Sequence, residues 1–251
     1  MNQGYLLYAQ GEMHIKYAIN CAESLRNLND TRPVALVTDK KIDNDLFDKI
    51  IIVEKNEDKF HVVNRSKLIQ WSPYEETTVI ESDCLVTQDL DYWWKTNSNK
   101  ELAFISQAHT YRQQPLDITY DRKTWLQNDL PSLYVACHYF KKTEFTKKFF
   151  NLVLEINTNL ESYKKFLPNR NPKIPSMDIA VCLATKILDC YNDVAYTAID
   201  PMFVHMKPFA QGLEKPSDEW SDKLGFYRSN NDLHIGTFKQ KGIIHYIEDI
   251  V

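Results

Sequence analysis

Four short apolar runs in the first third of the chain, separated by stretches of a different period, constrain the fold more than any other feature. Tyr5 to Ala9 reads as a buried strand, and Gly11 ends it. Ile15, Ala18, Ile19, Ala22, Leu25 and Leu28 then recur every three or four residues, which is one face of a helix. Val34 to Thr38, after Pro33, is a β-branched-rich second strand; Ile50 to Val53 is a third and Thr77 to Ile80 a fourth. Val63 to Trp71 fits a helix that Pro73 limits. Such alternation belongs to a mainly parallel sheet covered by helices on both faces. The expected class is therefore α/β, with a Rossmann-like sheet in a single domain.

The later half is more irregular. Glu144 to Leu160 reads as a helix, and Pro168, Pro172 and Pro175 mark a loop. Ser176 is a good N-cap for a helix from Met177 to about Leu188. Short apolar segments near Val194 to Ala198 and Met202 to His205 could add strands.

Composition narrows the function classes. A net charge of -4 over 251 residues is not that of a nonspecific nucleic-acid binder. No run of about eighteen apolar residues occurs, so no membrane span is expected. The opening residues lack a basic region followed by a long apolar core, so no secretory leader is expected either. The five cysteines form no C-x-x-C pair and read as buried thiols of a cytoplasmic protein. With six glycines and no G-x-G-x-x-G, Walker A, G-x-S-x-G or H-E-x-x-H, dinucleotide enzymes and those hydrolase classes are disfavoured.

The most informative stretch is Thr77 to Val86, where an apolar strand runs into Glu81 and Asp83 and then turns apolar again. Ligands of open parallel sheets bind beyond the carboxyl ends of the strands. Two carboxylates there repel one another unless a cation or hydrogen-bond donors compensate. Oxygen ligands of this kind suit Mn²⁺ or Mg²⁺. Taken alone, Glu-x-Asp also fits a solvated acidic turn.

Arg65-Ser66-Lys67-Leu68, Pro73-Tyr74 and Thr78-Val79-Ile80-Glu81-Ser82-Asp83-Cys84-Leu85-Val86 together resemble the donor-site region of glycosyltransferase family 8, the glycogenin-like enzymes. Pro175 to Ala180 is similar to that family's acceptor-side helix start, and Phe203-Val204-His205-Met206-Lys207-Pro208 to its His/Lys-Pro segment. Ile244-His245-Tyr246 resembles a tail motif of glycosyltransferase-like proteins of tailed bacteriophages. The first acid is Glu where the family has Asp, and one residue separates His205 from Lys207 where the family spaces them further apart.

The resemblance implies a single GT-A domain over residues 1–251, with a nucleotide-sugar-binding half at 1–100 and an acceptor-side half at 101–251. It implies transfer of a sugar from a nucleotide-sugar donor, a UDP-sugar first, with retention of configuration. Glu81, Asp83 and His205 are the implied ligands of Mn²⁺ or Mg²⁺. Lys67 and Lys207 are candidates for neutralising the diphosphate as charge builds on it. Tyr8, Ala9, Asp39 and Ser82 are expected at the nucleotide-sugar site, and Asp178 and Lys207 are the catalytic candidates. Each has a plainer reading: a hydrogen-bonded core histidine for His205, an exposed helix charge for Lys67, strand-end packing for Tyr8 and Ala9, and a helix-dipole partner for Asp178. The other histidines form no recognisable site, and His138, His234 and His245 show no metal-ligand spacing.

The acceptor is less legible. Lys141, Lys142, Lys147, Lys148, Lys164, Lys165, Arg170 and Lys173 face only Glu144, Glu155 and Glu161 over the same stretch, with Phe149, Phe150, Tyr163 and Phe166 between them. A polyanion could meet such a surface. With the phage resemblance, this makes a hydroxylated or hydroxymethylated base in phage DNA a candidate acceptor. A solvated helix face over a buried aromatic stripe explains the same pattern. Two other function classes stay open: a nucleotide-sugar-binding protein without transferase activity, and a nucleotidyltransferase. The latter normally carries a Gly-rich loop after the first strand, where only Gly11 stands here.

Overall fold

The computed structural model describes residues 3–58, 61–169, 172–213, 219–229 and 232–247. In chain order the strands are β1 (Gln3–Ala9), β2 (Val34–Thr38), β3 (Lys49–Ile52), β4 (Glu76–Glu81), β5 (Cys84–Val86), β6 (Leu102–Ile105) and β7 (Tyr134–Lys141). They continue with β8 (Ala195–Tyr196), β9 (Phe203–His205), β10 (Phe226–Ser229), β11 (Asp232–Ile235), β12 (Phe238–Lys239) and β13 (Ile243–His245). Helices α1 (Glu12–Arg26), α2 (Val62–Ser66), α3 (Leu68–Trp71) and α4 (Asp91–Asn97) lie in the first half. Two longer ones, Glu144–Thr158 and Met177–Ile187, lie in the second.

Seven strands form the central sheet in the order β3-β2-β1-β4-β7-β6-β8. The pairs β1–β2, β2–β3, β1–β4 and β6–β8 are parallel, while β7 runs antiparallel to both β4 and β6. The class is mixed α/β with a mostly parallel sheet, as the apolar runs require. The chain leaves β1 toward β2 on one side and returns to β4 on the other. The carboxyl ends of β1 and β4 therefore flank a topological switch point, with Tyr8 paired to Glu81.

Strand alternation sorts side chains onto two cores. Leu6 and Tyr8 of β1 join Val79, Phe104, Phe140 and the helices Glu144–Thr158 and Met177–Ile187 on one face. Tyr5, Leu7 and Ala9 join α1 and α4 on the other. On that side Trp93 and Trp94 are buried, and each indole N–H finds an acceptor: Thr78 Oγ1 at 3.0 Å and Tyr5 Oη at 2.9 Å. Burying rings of this size contributes about 1.5–3 kcal/mol apiece, provided the polar tip is satisfied. Gly4 is required by close approach, because a Cβ there would sit 2.5 Å from the Tyr74 ring.

A second, three-stranded sheet, β5-β13-β9, begins just after the end of β4. Its middle strand pairs antiparallel with β5 and parallel with β9, so His245 is in register with Cys84 on one side and His205 on the other. The third sheet, β10-β11-β12, packs beyond it through Leu233 and Ile235.

The segments near 194–198 and 202–205 form the short strands β8 and β9, with Val194 ending a helical turn instead. The helix expected over 63–71 divides at Lys67 into α2 and α3. Strands β5, β6, β7 and β10 to β13 have no counterpart in the sequence reading.

Candidate active site

β4 delivers Glu81 at its last residue, the turn that follows holds Ser82 and Asp83, and β5 resumes at Cys84. β13 carries His245 to the same place. The Tyr246 amide donates to the Asp83 carbonyl oxygen at 3.0 Å, which locks the end of β13 to the acidic turn. His245 Nε2 then lies 3.1 Å from Asp83 Oδ2 and 3.4 Å from Glu81 Oε2. One ligand atom from each of Glu81, Asp83 and His245 lies within 4.8 Å of the other two, a donor set of two oxygens and one nitrogen that suits a divalent cation.

His205 stands behind His245. The two Nδ1 atoms are 3.1 Å apart, so one carries the proton and the other accepts it. Burial above all, then the nearby His245, Lys207 and Arg122, hold the His205 pKa well below its ordinary value, so its imidazole is neutral. The sequence expectation put His205 against the carboxylates. The structure puts His245 there, because β13 intervenes between β5 and β9.

Asp83 is held ionised. Burial works against its charge, but His245 and the hydrogen bond it makes, with Arg65 further off, outweigh that and bring its pKa below the usual carboxylate value. Arg65 on α2 pairs directly with Glu81. Lys67, two residues on, is not among the residues lining the cleft. Lys67 sits at the break between α2 and α3, past the turn of α2 that aims Arg65 at the acids.

Glu81, Asp83 and Arg65 edge a cleft of about 220 Å³ lined also by Tyr8, Gln10, His14, His61, Ser82 and His138, while His245, His205 and Asp178 stand outside that lining. Tyr8 and His61 meet edge to face at 6.1 Å, as do His14 and His61. His61 holds a left-handed backbone, φ 49°, which is uncommon for a residue with a side chain and clusters at ligand sites. Gln10 is buried and ties this end together, accepting from Tyr8 Oη at 2.9 Å and the Asn56 amide at 2.8 Å.

Ala9 and Asp39 fall differently from expectation. Ala9 follows Tyr8 on a strand, so its side chain enters the opposite core. Asp39 Oδ1 accepts from the Gly11 amide at 2.9 Å at the start of α1, and Asp39 does not line the cleft. Asp178 sits in the first turn of its helix, where Oδ1 accepts from the Val135 amide at 3.2 Å and from Arg122 Nη2 at 3.4 Å. Arg122, itself buried under the Tyr134 ring at 3.6 Å, anchors it. Lys207 is exposed and lies outside the cleft lining. Of the basic stretch, Arg170 lies outside the described residues. Phe149 and Phe150 are core residues, which leaves Tyr163 and Phe166 as the accessible rings.

Sequence reasoning missed Arg65, His245, Arg122, His61 and Gln10 at this site. Arg65 stood within the quoted motif, and His245 directly follows the β-branched pair Ile243 and Ile244. The other three carry no local signal.

No protein-family model and no curated protein matches the chain. Solved structures do. The galactosyltransferase LgtC, in complex with donor and acceptor sugar analogs, matches over 98% of this chain and 87% of its own, at 11% identity and a TM-score of 0.59. Mouse xyloside xylosyltransferase 1 matches over 79% of this chain and 85% of its own, at 7% identity and a TM-score of 0.50. The apo-form glycosyltransferase GlyE of Streptococcus pneumoniae TIGR4 matches over 78% of this chain at 10% identity and a TM-score of 0.47. This chain spans 45% of that pneumococcal structure. The fold is that of the GT-A glycosyltransferases.

Proposed function

We propose that the protein is a metal-dependent glycosyltransferase that moves a sugar from a nucleotide-sugar donor, a UDP-sugar first, to a hydroxyl acceptor. The observation that carries this reading is the convergence of Glu81, Asp83 and His245 at the switch point of a glycosyltransferase fold. These three residues would hold Mn²⁺ or Mg²⁺, with His205 positioning His245 from behind. Bound there, the cation supplies Lewis-acid stabilisation of the departing diphosphate.

The chain's own groups take complementary parts. Tyr8, His14 and His61 offer ring edges and faces to the nucleobase. Arg65, already drawn to Glu81, supplies a fixed positive charge where negative charge develops on the leaving group. Asp178, held by Arg122 and the Val135 amide, presents a carboxylate to the donor sugar or the acceptor. Lys207 keeps a part at the diphosphate on the sequence resemblance alone, since it lies outside the cleft lining. Lys67 is given no part, and His205 passes from ligand to positioning residue. The chain acts as one unit, although His205, His245 and Asp178 of the later half complete a donor site begun in residues 1–100.

The resemblance of its motifs to those of glycogenin-like and phage proteins extends the proposal to retention of configuration and to a base-modified DNA acceptor. Lys147, Lys148, Lys164 and Lys165 form the accessible basic surface for such a polyanion. Duplex binding that weakens with salt supports it, and salt-insensitive or absent binding removes it. Five buried free thiols fit a reducing compartment such as the cytoplasm. Among the described residues no helix is long and apolar enough to cross a membrane.

The test is a thermal-shift screen of UDP-, GDP- and ADP-sugars with and without Mn²⁺. A stabilisation that needs both metal and nucleotide-sugar names the donor. No such pair stabilising the protein would refute the function. Glu81 in place of Asp favours one other reading, a nucleotide-sugar-binding protein without transferase activity. Mn²⁺-dependent hydrolysis of the bound donor separates the two, and proton NMR of the product reads its configuration.

A further inference from the structure

Among the described residues, the wall of the cleft holds a buried polar atom without a hydrogen-bond partner. His138 lies on β7 opposite Val79 of β4, is 2% exposed, and forms part of the cleft wall. Its ring stacks on Phe104 with centroids 5.2 Å apart, and Phe150 and Phe140 pack around it at 5.9 and 6.4 Å. Nδ1 is 2.8 Å from the Val135 carbonyl oxygen, which can only accept, so Nδ1 carries the hydrogen. Burial, opposed by that hydrogen bond and reinforced by the Arg65 charge, brings the pKa to about 4 and keeps the ring neutral. Nε2 is then a bare lone pair, and among the described residues no group donates to it.

A buried acceptor without a donor costs free energy, which an apolar ring in the same aromatic nest would avoid. The atom therefore points to a ligand that donates. A diphosphate at neutral pH has no hydrogen to give. The nucleobase end of the cleft is marked by a different group of rings, around Tyr8 and His61. Arg65, which lines the same cleft, is a donor suited to sugar oxygens. A neutral acceptor in the wall of that cleft complements it toward the hydroxyls of a polyol.

We infer that His138 Nε2 accepts a hydrogen bond from a hydroxyl of the transferred sugar, and so selects a donor that presents a free hydroxyl to the β7 wall. This rests on the donor-cleft reading above. His138 is a specificity residue here: it touches the sugar and leaves the diphosphate to the acidic turn and Arg65.

The test is calorimetric titration of UDP, UDP-glucose, UDP-galactose, GDP and GDP-mannose, each with Mn²⁺, into wild type, His138→Phe and His138→Gln. Wild type should bind one sugar nucleotide more tightly than its parent diphosphate. The Phe variant should bind that diphosphate within about twofold of wild type, yet lose roughly tenfold on the sugar nucleotide. The Gln variant, whose amide oxygen can stand near Nε2, should recover part of the loss. A Phe variant that keeps the full sugar increment overturns the inference, as does one that loses diphosphate and sugar nucleotide equally. A second measurement needs no variant. Among analogues with one sugar hydroxyl replaced by fluorine, which cannot donate, one should bind wild type roughly tenfold worse than the parent; if none does, His138 is a core residue only. Wild type binding no nucleotide at all would instead bring down the donor-cleft reading, and this inference with it.

Discussion

His245 Nε2 stands 3.1 Å from Asp83 Oδ2 across 162 residues of chain, and the pairing of β13 with β5 puts it there. His205, one strand further out, meets His245 through the two Nδ1 atoms, 3.1 Å apart. If a cation takes the Nε2 lone pair, Nδ1 of His245 must carry the hydrogen and donate it to the neutral His205. This is the arrangement in which an outer partner fixes a ligand's tautomer and orientation.

The two histidines should therefore differ in a measurable order. His205→Ala should weaken Mn²⁺ binding roughly ten- to a hundredfold, the usual effect of removing an outer partner. His245→Ala should weaken it by more, since a ligand itself is lost. Mn²⁺ titration followed by electron paramagnetic resonance reads both. A greater loss in the His205 variant would reverse the assignment.

Arg65 and Lys67 offer a second contrast. Only Arg65 meets Glu81 and lines the cleft. Arg65→Ala should lower turnover on the order of a hundredfold, the effect expected when a fixed charge is removed from a developing anion. Lys67→Ala should stay within about twofold, as a surface substitution does. Donor hydrolysis rates under Mn²⁺ decide it, and a matching loss in the Lys67 variant would restore that residue to the site.

These comparisons also show what the sequence could reveal. β1, α1, β2, β3 and β4 are legible because each is a full-length apolar run or a clean helical period, bounded by Gly11, Pro33 or Pro73. Glu81 and Asp83 are legible for the same reason, as one ends and the other directly follows a strand that is plainly buried. β5, β9 and β13 have three residues each, too few to show a period, and they exist because they pair with one another across the chain. The choice between His205 and His245 depends on the order of those three strands, which no local pattern encodes. The resemblance points to Lys67, while which of Arg65 and Lys67 faces the acids depends on where α2 ends, which spacing alone does not set. Phe149 and Phe150 sit among lysines in sequence yet face the core, since helical periodicity separates neighbours that a linear reading groups together.

The metal-free protein should lose stability in mild acid, and His138 should account for part of the loss. Its pKa falls from the ordinary 6.5 to about 4 on folding, so the unfolded chain binds the proton more readily. Stability from this residue is complete above pH 6.5 and declines as pH falls toward 4. Between pH 7 and pH 5 the loss should be about 2 kcal/mol. Urea unfolding of wild type and His138→Phe at the two pH values reads the difference. An unchanged pH dependence in the variant would show that His138 does not carry it.

Gly242 tests whether the small sheet is what holds the candidate site together. It precedes β13 with φ at 91°, in the region that side chains avoid, and a Cβ there would sit 2.0 Å from the Met202 carbonyl oxygen. That oxygen already accepts from the Ile243 amide at 2.8 Å, and the Gly242 carbonyl accepts from the Thr87 amide at 2.8 Å. Any side chain must therefore push β13 off its neighbours, over and above about 1–3 kcal/mol of backbone strain. Gly242→Ala should lower the urea midpoint and weaken Mn²⁺ binding together, because His245 moves with the strand that carries it. Lost stability with Mn²⁺ affinity intact would mean that the Asp83–His245 contact does not depend on the register of β13.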